Sequence, residues 1–422
     1  MIDFVKKYIY VELLLCLAAI NYWTKIDNKT NIIIVTYLTF LGFIYLIYKL
    51  KYSNHKTNIS TCNFRGKHVC ILGGSEGLGL SLAKRIIKER PYTISLLARN
   101  INKLKEAKSV LLNLMENIGK PFNVRINIIQ CDISMKESIN NAYNDLLNNK
   151  SLDSTEFEVD NINTTYVCDD KTENSNIKKR QNTKKKNKKE DAKDMLYEEN
   201  ESKQNYSDLN FIDILICNAA YVSTEENNKL EMYDLLYTVN TNIYGNIDFI
   251  SRVLLHMKKT KKGGVILFIN TEGTLYPIYG YSYYLMSKSC MWTYTHILDQ
   301  ELKYYNIHIA NAFLPSLETP GYIIENLKKP QITKHIENLT TTLNSDYAAN
   351  KVINKIKQGN KFITLNFNGY MLSVLHSGYR HPDSYFDYII YVTFCNIFVF
   401  ISSLYKIYIE YIIKSKITGG LT

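Results

Sequence analysis

No two cysteines in this chain are spaced CxxC, no HExxH occurs, and histidine numbers only 8 among 422 residues. Those absences exclude the familiar zinc ligand sets and a disulfide framework, and no metal is expected. The cysteines are scattered at 16, 62, 70, 131, 168, 217, 290 and 395. Cys70, Cys131, Cys217 and Cys290 fall in or beside apolar runs and read as buried free thiols of a reducing compartment. A nucleic-acid platform is missing too. The formal net charge is +11, but much of it sits in one run from Lys178-Lys179-Arg180 through Lys184-Lys185-Lys186 to Lys188-Lys189, with no aromatic platform beside it. Such a run reads as a solvated tract, and no nucleic-acid partner is expected.

What is present is unevenly spread. Two apolar segments, Tyr8–Trp23 and Asn31–Leu50, open the chain, and the second approaches the ~20 residues that cross a bilayer. Lys6 and Lys7 precede the pair, and Lys49, Lys51, Lys56, Arg65 and Lys67 follow it. Between the two segments lie only Lys25 and Lys29 against Asp27. This bias predicts an N-terminal membrane anchor over 1–51, of one or two helices, with the downstream domain in the cytosol. A cleaved signal peptide fits less well, because no small-residue cleavage site follows the first run. Residues 150–208 are rich in Asn, Lys, Asp and Glu and poor in apolar residues, which predicts a disordered charged insertion. Apolar and aromatic residues return from Tyr388 to Tyr405, while Lys406 and Glu410 argue against a clean span. The 386–416 stretch is therefore expected to be membrane-associated, as an embedded hairpin or an interfacial helix, with a packed C-terminal helix as the alternative.

Between the anchors, over 65–376, apolar strands alternate with helices. Strands are predicted at Val69–Leu72, Tyr92–Ala98, Val124–Ile129, Phe211–Cys217, Val265–Ile269 and Ile307–Leu314. Helices are predicted at Gly77–Arg90, Lys103–Met115, Met232–Met257 and Leu285–Tyr305. Apolar strands joined by crossovers of this length predict an α/β fold with a doubly wound parallel sheet.

Chemistry-bearing residues fall at the strand ends. The first strand runs into Gly73-Gly74-Ser75-Glu76-Gly77-Leu78-Gly79, a turn whose backbone can approach a pyrophosphate at the next helix's N-terminus. The same letters spell the G-x-S-x-G elbow of hydrolases, but only anchor and linker precede them, without the strands that an elbow needs. The second strand ends at Arg99, with Lys103 one turn further on. Cations there suit the extra phosphate of NADP, although Glu76 adds an opposing charge. Asp132, after the third strand, is placed to meet an adenine ring. Tyr284 and Lys288 are four residues apart and share one helix face, where an ammonium lowers a phenol's pKa. Thr271 lies thirteen residues before Tyr284 at a strand end, and Asn242 lies on the preceding long helix.

With these residues in place, the chain resembles the short-chain dehydrogenase/reductase family over about Arg65 to Gly321, outside the insertion. The resemblance implies a Rossmann-type fold and a carbonyl reductase. Gly73, Ser75, Glu76, Gly77, Gly79, Arg99, Lys103, Asp132, Asn218 and Lys288 would hold NADPH. It makes Tyr284 the general acid, Lys288 the ribose ligand that tunes it, Thr271 the stand-in for the usual Ser, and Asn242 the residue ordering a proton-relay water. Three departures accompany it: Leu72 for Thr, Cys217-Asn218-Ala219-Ala220 for Asn-Asn-Ala-Gly, and Leu314-Pro315 for Pro-Gly. Within the family the chain is most similar to the 3-ketodihydrosphingosine reductases of the endoplasmic reticulum membrane. Ala98-Arg99-Asn100, Glu318-Thr319-Pro320-Gly321-Tyr322 and Gly369-Tyr370-Met371-Leu372-Ser373 carry that likeness. It implies a long-chain 3-keto sphingoid base as substrate, in sphingolipid synthesis, and leaves a homo-oligomer open. A membrane reductase of very-long-chain 3-ketoacyl-CoA or of steroid ketones, and a catalytically silent NADP- or lipid-binding protein, remain as alternatives.

Overall fold

A computed structural model describes residues 62–118, 124–148, 211–260, 262–302, 304–376 and 385–418, with isolated positions between 36 and 42. Apart from those positions, the expected N-terminal anchor lies outside the described residues, as does the 150–208 insertion.

The first half of the domain comprises β1 (His68–Leu72), α1 (Gly77–Ile87), β2 (Thr93–Ala98), α2 (Ile101–Asn117), β3 (Arg125–Gln130) and α3 (Lys136–Leu147). The second half begins with β4 (Ile214–Cys217), α4 (Met232–Val239), a π-helical turn (Asn240–Tyr244) and α5 (Gly245–Thr260). It continues through β5 (Gly264–Thr271), α6 (Ser282–Glu301) and β6 (Ile307–Leu314). Then come β7 (Leu317–Glu318), α7 (Pro320–Lys328), α8 (Gln331–Glu337), β8 (Leu343–Asn344), α9 (Ser345–Lys357), β9 (Phe362–Thr364), α10 (Phe367–Leu375) and α11 (Tyr385–Thr418).

The main sheet has the order β3-β2-β1-β4-β5-β6-β9, and every neighbouring pair is parallel. This is the doubly wound sheet that the alternating pattern predicts, with the strand order reversing between β1 and β4. Alternation along each strand feeds two cores. Val69 and Ile71 of β1 pack with Leu82 and Ile86 of α1, Leu104 of α2 and Val352 of α9. Cys70 and Leu72 face the other way, onto Ile139 of α3, Phe249 and Val253 of α5 and Met291 of α6. Each such fully buried Leu, Ile or Phe is worth roughly 1.5–3 kcal/mol of transfer free energy.

Four expectations change. The single helix predicted over Met232–Met257 is divided by the π turn, in which the Gly245 amide donates to the Asn240 carbonyl, five residues back. The sheet gains a seventh strand, β9, only three residues long. Cys290 is exposed on α6, whereas Cys62, Cys70, Cys131 and Cys217 are buried free thiols. The C-terminal stretch is one uninterrupted helix of 34 residues, not a hairpin. Its Ile409 and Ile412 pack on Ile332 and Ile336 of α8, and its Tyr391 and Phe398 pack on Val374 of α10. The outer side exposes Ile397, Phe400, Leu404, Ile407 and Tyr411. Among the described residues, the stretch Asp387–Lys416 is the one helix long and apolar enough to cross a membrane.

Candidate active site

The crevice where the strand order reverses opens into one cleft of about 1840 Å³. Gly73, Ser75, Glu76, Gly77, Arg99, Lys103 and Asn218 line one end. Thr271, Tyr284 and Lys288 line the middle, and Phe367, Met371, Ile401 and Tyr405, from α10 and α11, line the far end.

The glycine loop is built for close approach. Gly73 takes φ +75°, and a Cβ on Gly79 would collide with the Gly73 carbonyl oxygen. Gly79 thus lets α1 close onto β1 from behind the cleft, which it does not itself line. Asn218 Nδ2 donates to the Gly73 carbonyl at 2.8 Å and ties the end of β4 to the loop. That tie survives although Cys217 and Ala220 depart from the familiar pattern. Glu76 occupies the N-cap of α1 without a side-chain bond to the helix amides, so those amides are left for an anion. The Glu76 carboxylate instead accepts from Lys103 Nζ at 2.8 Å, which neutralises the opposing charge. Arg99 donates to the Tyr237 hydroxyl and lies 5.9 Å from that ring's centroid. Glycine turn, free helix amides and a cation at the end of β2 together fit a phosphorylated dinucleotide. Asp132 does not join them. Its carboxylate accepts from Ser134 N at 2.9 Å and Ser134 Oγ at 2.6 Å in a turn, and Cys131 and Ile133 line the cleft in its place.

The reacting groups sit on β5 and α6. Lys288 is buried, and its ammonium donates to the Ile269 carbonyl at 2.9 Å. Burial lowers its pKa to about 8. The same ammonium lies 5.8 Å from the Tyr284 ring centroid. The Tyr284 phenol, however, is pushed up, by burial first and by Glu325 second. The expected lowering by Lys288 is thus not what sets this phenol: desolvation disfavours the phenolate and holds the proton. A phenol held protonated is the form that a proton donor requires. Thr271 Oγ accepts from Gly273 N at 3.3 Å, which leaves its hydroxyl hydrogen to donate into the cleft.

Asn242 is buried beside this site without lining it. Its amide closes a ring of bonds: Oδ1 accepts from Tyr221 N at 2.7 Å, and Nδ2 donates to Tyr221 O at 2.8 Å and Ser287 Oγ at 2.9 Å. The side chain is thus committed to locking the loop after β4 against α6, and the Asn242 backbone carbonyl accepts from Asn246 Nδ2 at 3.1 Å. Sequence reasoning missed Tyr221 and Ser287, and also a buried cluster on α7 and α8. In that cluster the Lys329 ammonium pairs with Glu325 at 2.9 Å and with Glu337, while the Tyr281 hydroxyl donates to both carboxylates. Nothing in residue spacing links Tyr281 to Glu325 and Glu337; only the fold joins them.

A family model described as short chain dehydrogenase matches residues 165–326, and a KR domain model matches residues 68–154. A 3-ketodihydrosphingosine reductase of Bos taurus is 24% identical over 313 residues, covering 74% of this chain and 75% of the relative. The chain belongs to the short-chain dehydrogenase/reductase family. An Arabidopsis thaliana 3-dehydrosphinganine reductase is 24% identical over 323 residues, covering 76% of this chain and 77% of its own. Among solved folds of this reductase type, the L-sorbose reductase of Gluconobacter frateurii, complexed with NADPH and L-sorbose, superposes with a TM-score of 0.50. It is 16% identical and covers 72% of this chain and 96% of its own, a likeness of fold.

Proposed function

We propose that this protein is an NADPH-dependent reductase of 3-ketodihydrosphingosine, forming dihydrosphingosine at the surface of the endoplasmic reticulum membrane. The observation that carries the reading is the continuity of the cleft, from the Tyr284 and Lys288 pair to the apolar wall of α10 and α11. The curated relatives support it by their names and by matching about three quarters of both chains.

NADPH supplies the hydride for the carbonyl carbon when it is bound. The glycine loop and the α1 amides would hold its pyrophosphate, Arg99 its ribose phosphate, and Lys288 its nicotinamide ribose. The Tyr284 hydroxyl gives its proton to the carbonyl oxygen, and the ketone becomes a secondary alcohol. The Thr271 hydroxyl donates to the same oxygen and orients it. Asn242 acts at one remove, by fixing the Tyr221 loop and α6.

A substrate with a long alkyl chain partitions into lipid at ~0.8 kcal/mol per buried methylene, so its reductase must meet it at the bilayer. Ile323, Ile324 and Leu327 of α7 are exposed, as is the outer side of α11, and together they offer an apolar rim to lipid. The basic residues flanking the N-terminal apolar runs favour a cytosolic placement of the domain.

Purified full-length protein with NADPH and 3-ketodihydrosphingosine in mixed micelles tests the reading, by loss of the reduced cofactor's absorbance. Faster turnover of a very-long-chain 3-ketoacyl-CoA or a steroid ketone would overturn the substrate assignment.

A further inference from the structure

Glu272 follows Thr271 directly and lines the same cleft. Its Oε2 accepts one long bond, 3.5 Å from Asn366 Nδ2. Its Oε1 is buried and has no hydrogen-bond partner among the described residues. No lysine or arginine among those residues pairs with it either, and burial raises its pKa to about 7 against the Asn366 bond. A half-buried acid left so incompletely bonded is costly to keep, and such groups gather where a ligand completes them.

The surrounding fold holds the acid in place. Gly369 of α10 packs against the carboxylate, and a Cβ there would collide with Oε1. Asn366 caps α10 by accepting from Gly369 N at 2.7 Å, while its amide turns to Glu272. The Gly369–Ser373 segment therefore backs onto this carboxylate. The other acids of the cleft are engaged: Glu325 and Glu337 by Lys329, Tyr281 and Tyr322, Glu76 by Lys103, Glu225 by Lys229, and Glu231 and Asp234 in the capping box that opens α4.

The proposed substrate carries an amine on the carbon next to its carbonyl. With the carbonyl oxygen on Tyr284 and Thr271, that amine lies two bonds from the reacting carbon, beside the residue that follows Thr271. We propose that Glu272 is the ammonium-binding group of this cleft, pairing with the amine adjacent to the carbonyl and selecting amino ketones over amine-free ketones of equal chain length. This inference rests on the reductase reading above and names the residue that sets its substrate class.

The test compares kcat/KM for 3-ketodihydrosphingosine and for the matching hydroxy ketone without the amine, using full-length protein and NADPH. The wild type should prefer the amine-bearing ketone, and Glu272→Gln should cut that preference by at least about tenfold, through KM. Glu272→Asp should keep part of it, because the charge remains. NADPH affinity and a cooperative melt establish that each variant is folded. An undiminished preference in Glu272→Gln, or none in the wild type, overturns the proposal. Turnover of neither ketone sinks the proposed reaction instead. Calorimetric binding of the amino diol against the amine-free diol then decides the role of Glu272 on its own, with equal affinities refuting it.

Discussion

The Tyr405 ring of α11 lies 5.5 Å from the Tyr276 ring, five residues beyond Thr271. The apolar C-terminal helix thus touches the loop that joins β5 to α6, the two elements carrying the reacting groups, and Ile401 and Ser402, one turn earlier, line the same cleft. Ending the chain at residue 376 would unroof the cleft and expose Ile332, Ile336 and Val374. Such a protein should lose more than about tenfold of its turnover of the long-chain ketone even in detergent, with a lowered melting temperature. Full turnover in detergent would make α11 an anchor alone.

Tyr284→Phe should lower kcat by roughly 10²–10⁴-fold, the range for loss of a positioned acid. NADPH affinity should stay within about threefold, since the phenol is not a cofactor ligand. Stopped-flow reduction alongside a fluorescence titration of NADPH separates the two effects. Turnover at the wild-type rate would remove Tyr284 from the chemistry.

Arg99→Asp should weaken NADPH far more than NADH, because a carboxylate repels the ribose phosphate. With Lys103 already engaged by Glu76, the reversal falls mainly on one side chain. The ratio of the two dissociation constants is the readout. An unchanged ratio would move phosphate recognition elsewhere.

Glu272 also predicts a pH signature. Its folded pKa, about 7, lies above the ordinary carboxylate value of 4.5. A carboxyl raised on folding gives its full stabilisation below the unfolded pKa and loses it as pH climbs through the folded one. The wild type should therefore melt progressively earlier than Glu272→Gln as pH rises from about 5 to 8. Parallel melting temperatures across that range would show that the acid is paired or solvated.

Much of the scaffold was legible because buried parallel strands are written as apolar runs, and β1 to β6 all carry one. β9 escaped because Phe362–Thr364 is too short to show a period. The glycine loop, Tyr284, Lys288 and Thr271 stand out by order along the chain, and they line one cleft. Asp132 shows the limit of that method: the end of β3 was right, but a neighbouring serine captured the side chain. Glu272 carried no signal at all, since its meaning comes from burial against a glycine 97 positions later. The C-terminal helix was legible as apolar, yet which of its sides meets the protein depends on α8 and α10.

The five-residue turn between α4 and α5 changes how the long connecting helix must be aligned. A π turn spends one residue more than an α turn, so the stretches on either side of it are out of phase. Upstream, Tyr237 is directed at Arg99; downstream, Phe249 and Val253 are directed at the sheet. Neither stripe predicts the other by a 3.6-residue count. Removing one residue from Asn240–Tyr244 would restore a uniform helix and rotate one stripe off its target. The apparent extra residue is thus a spacer that lets one rod serve two partners.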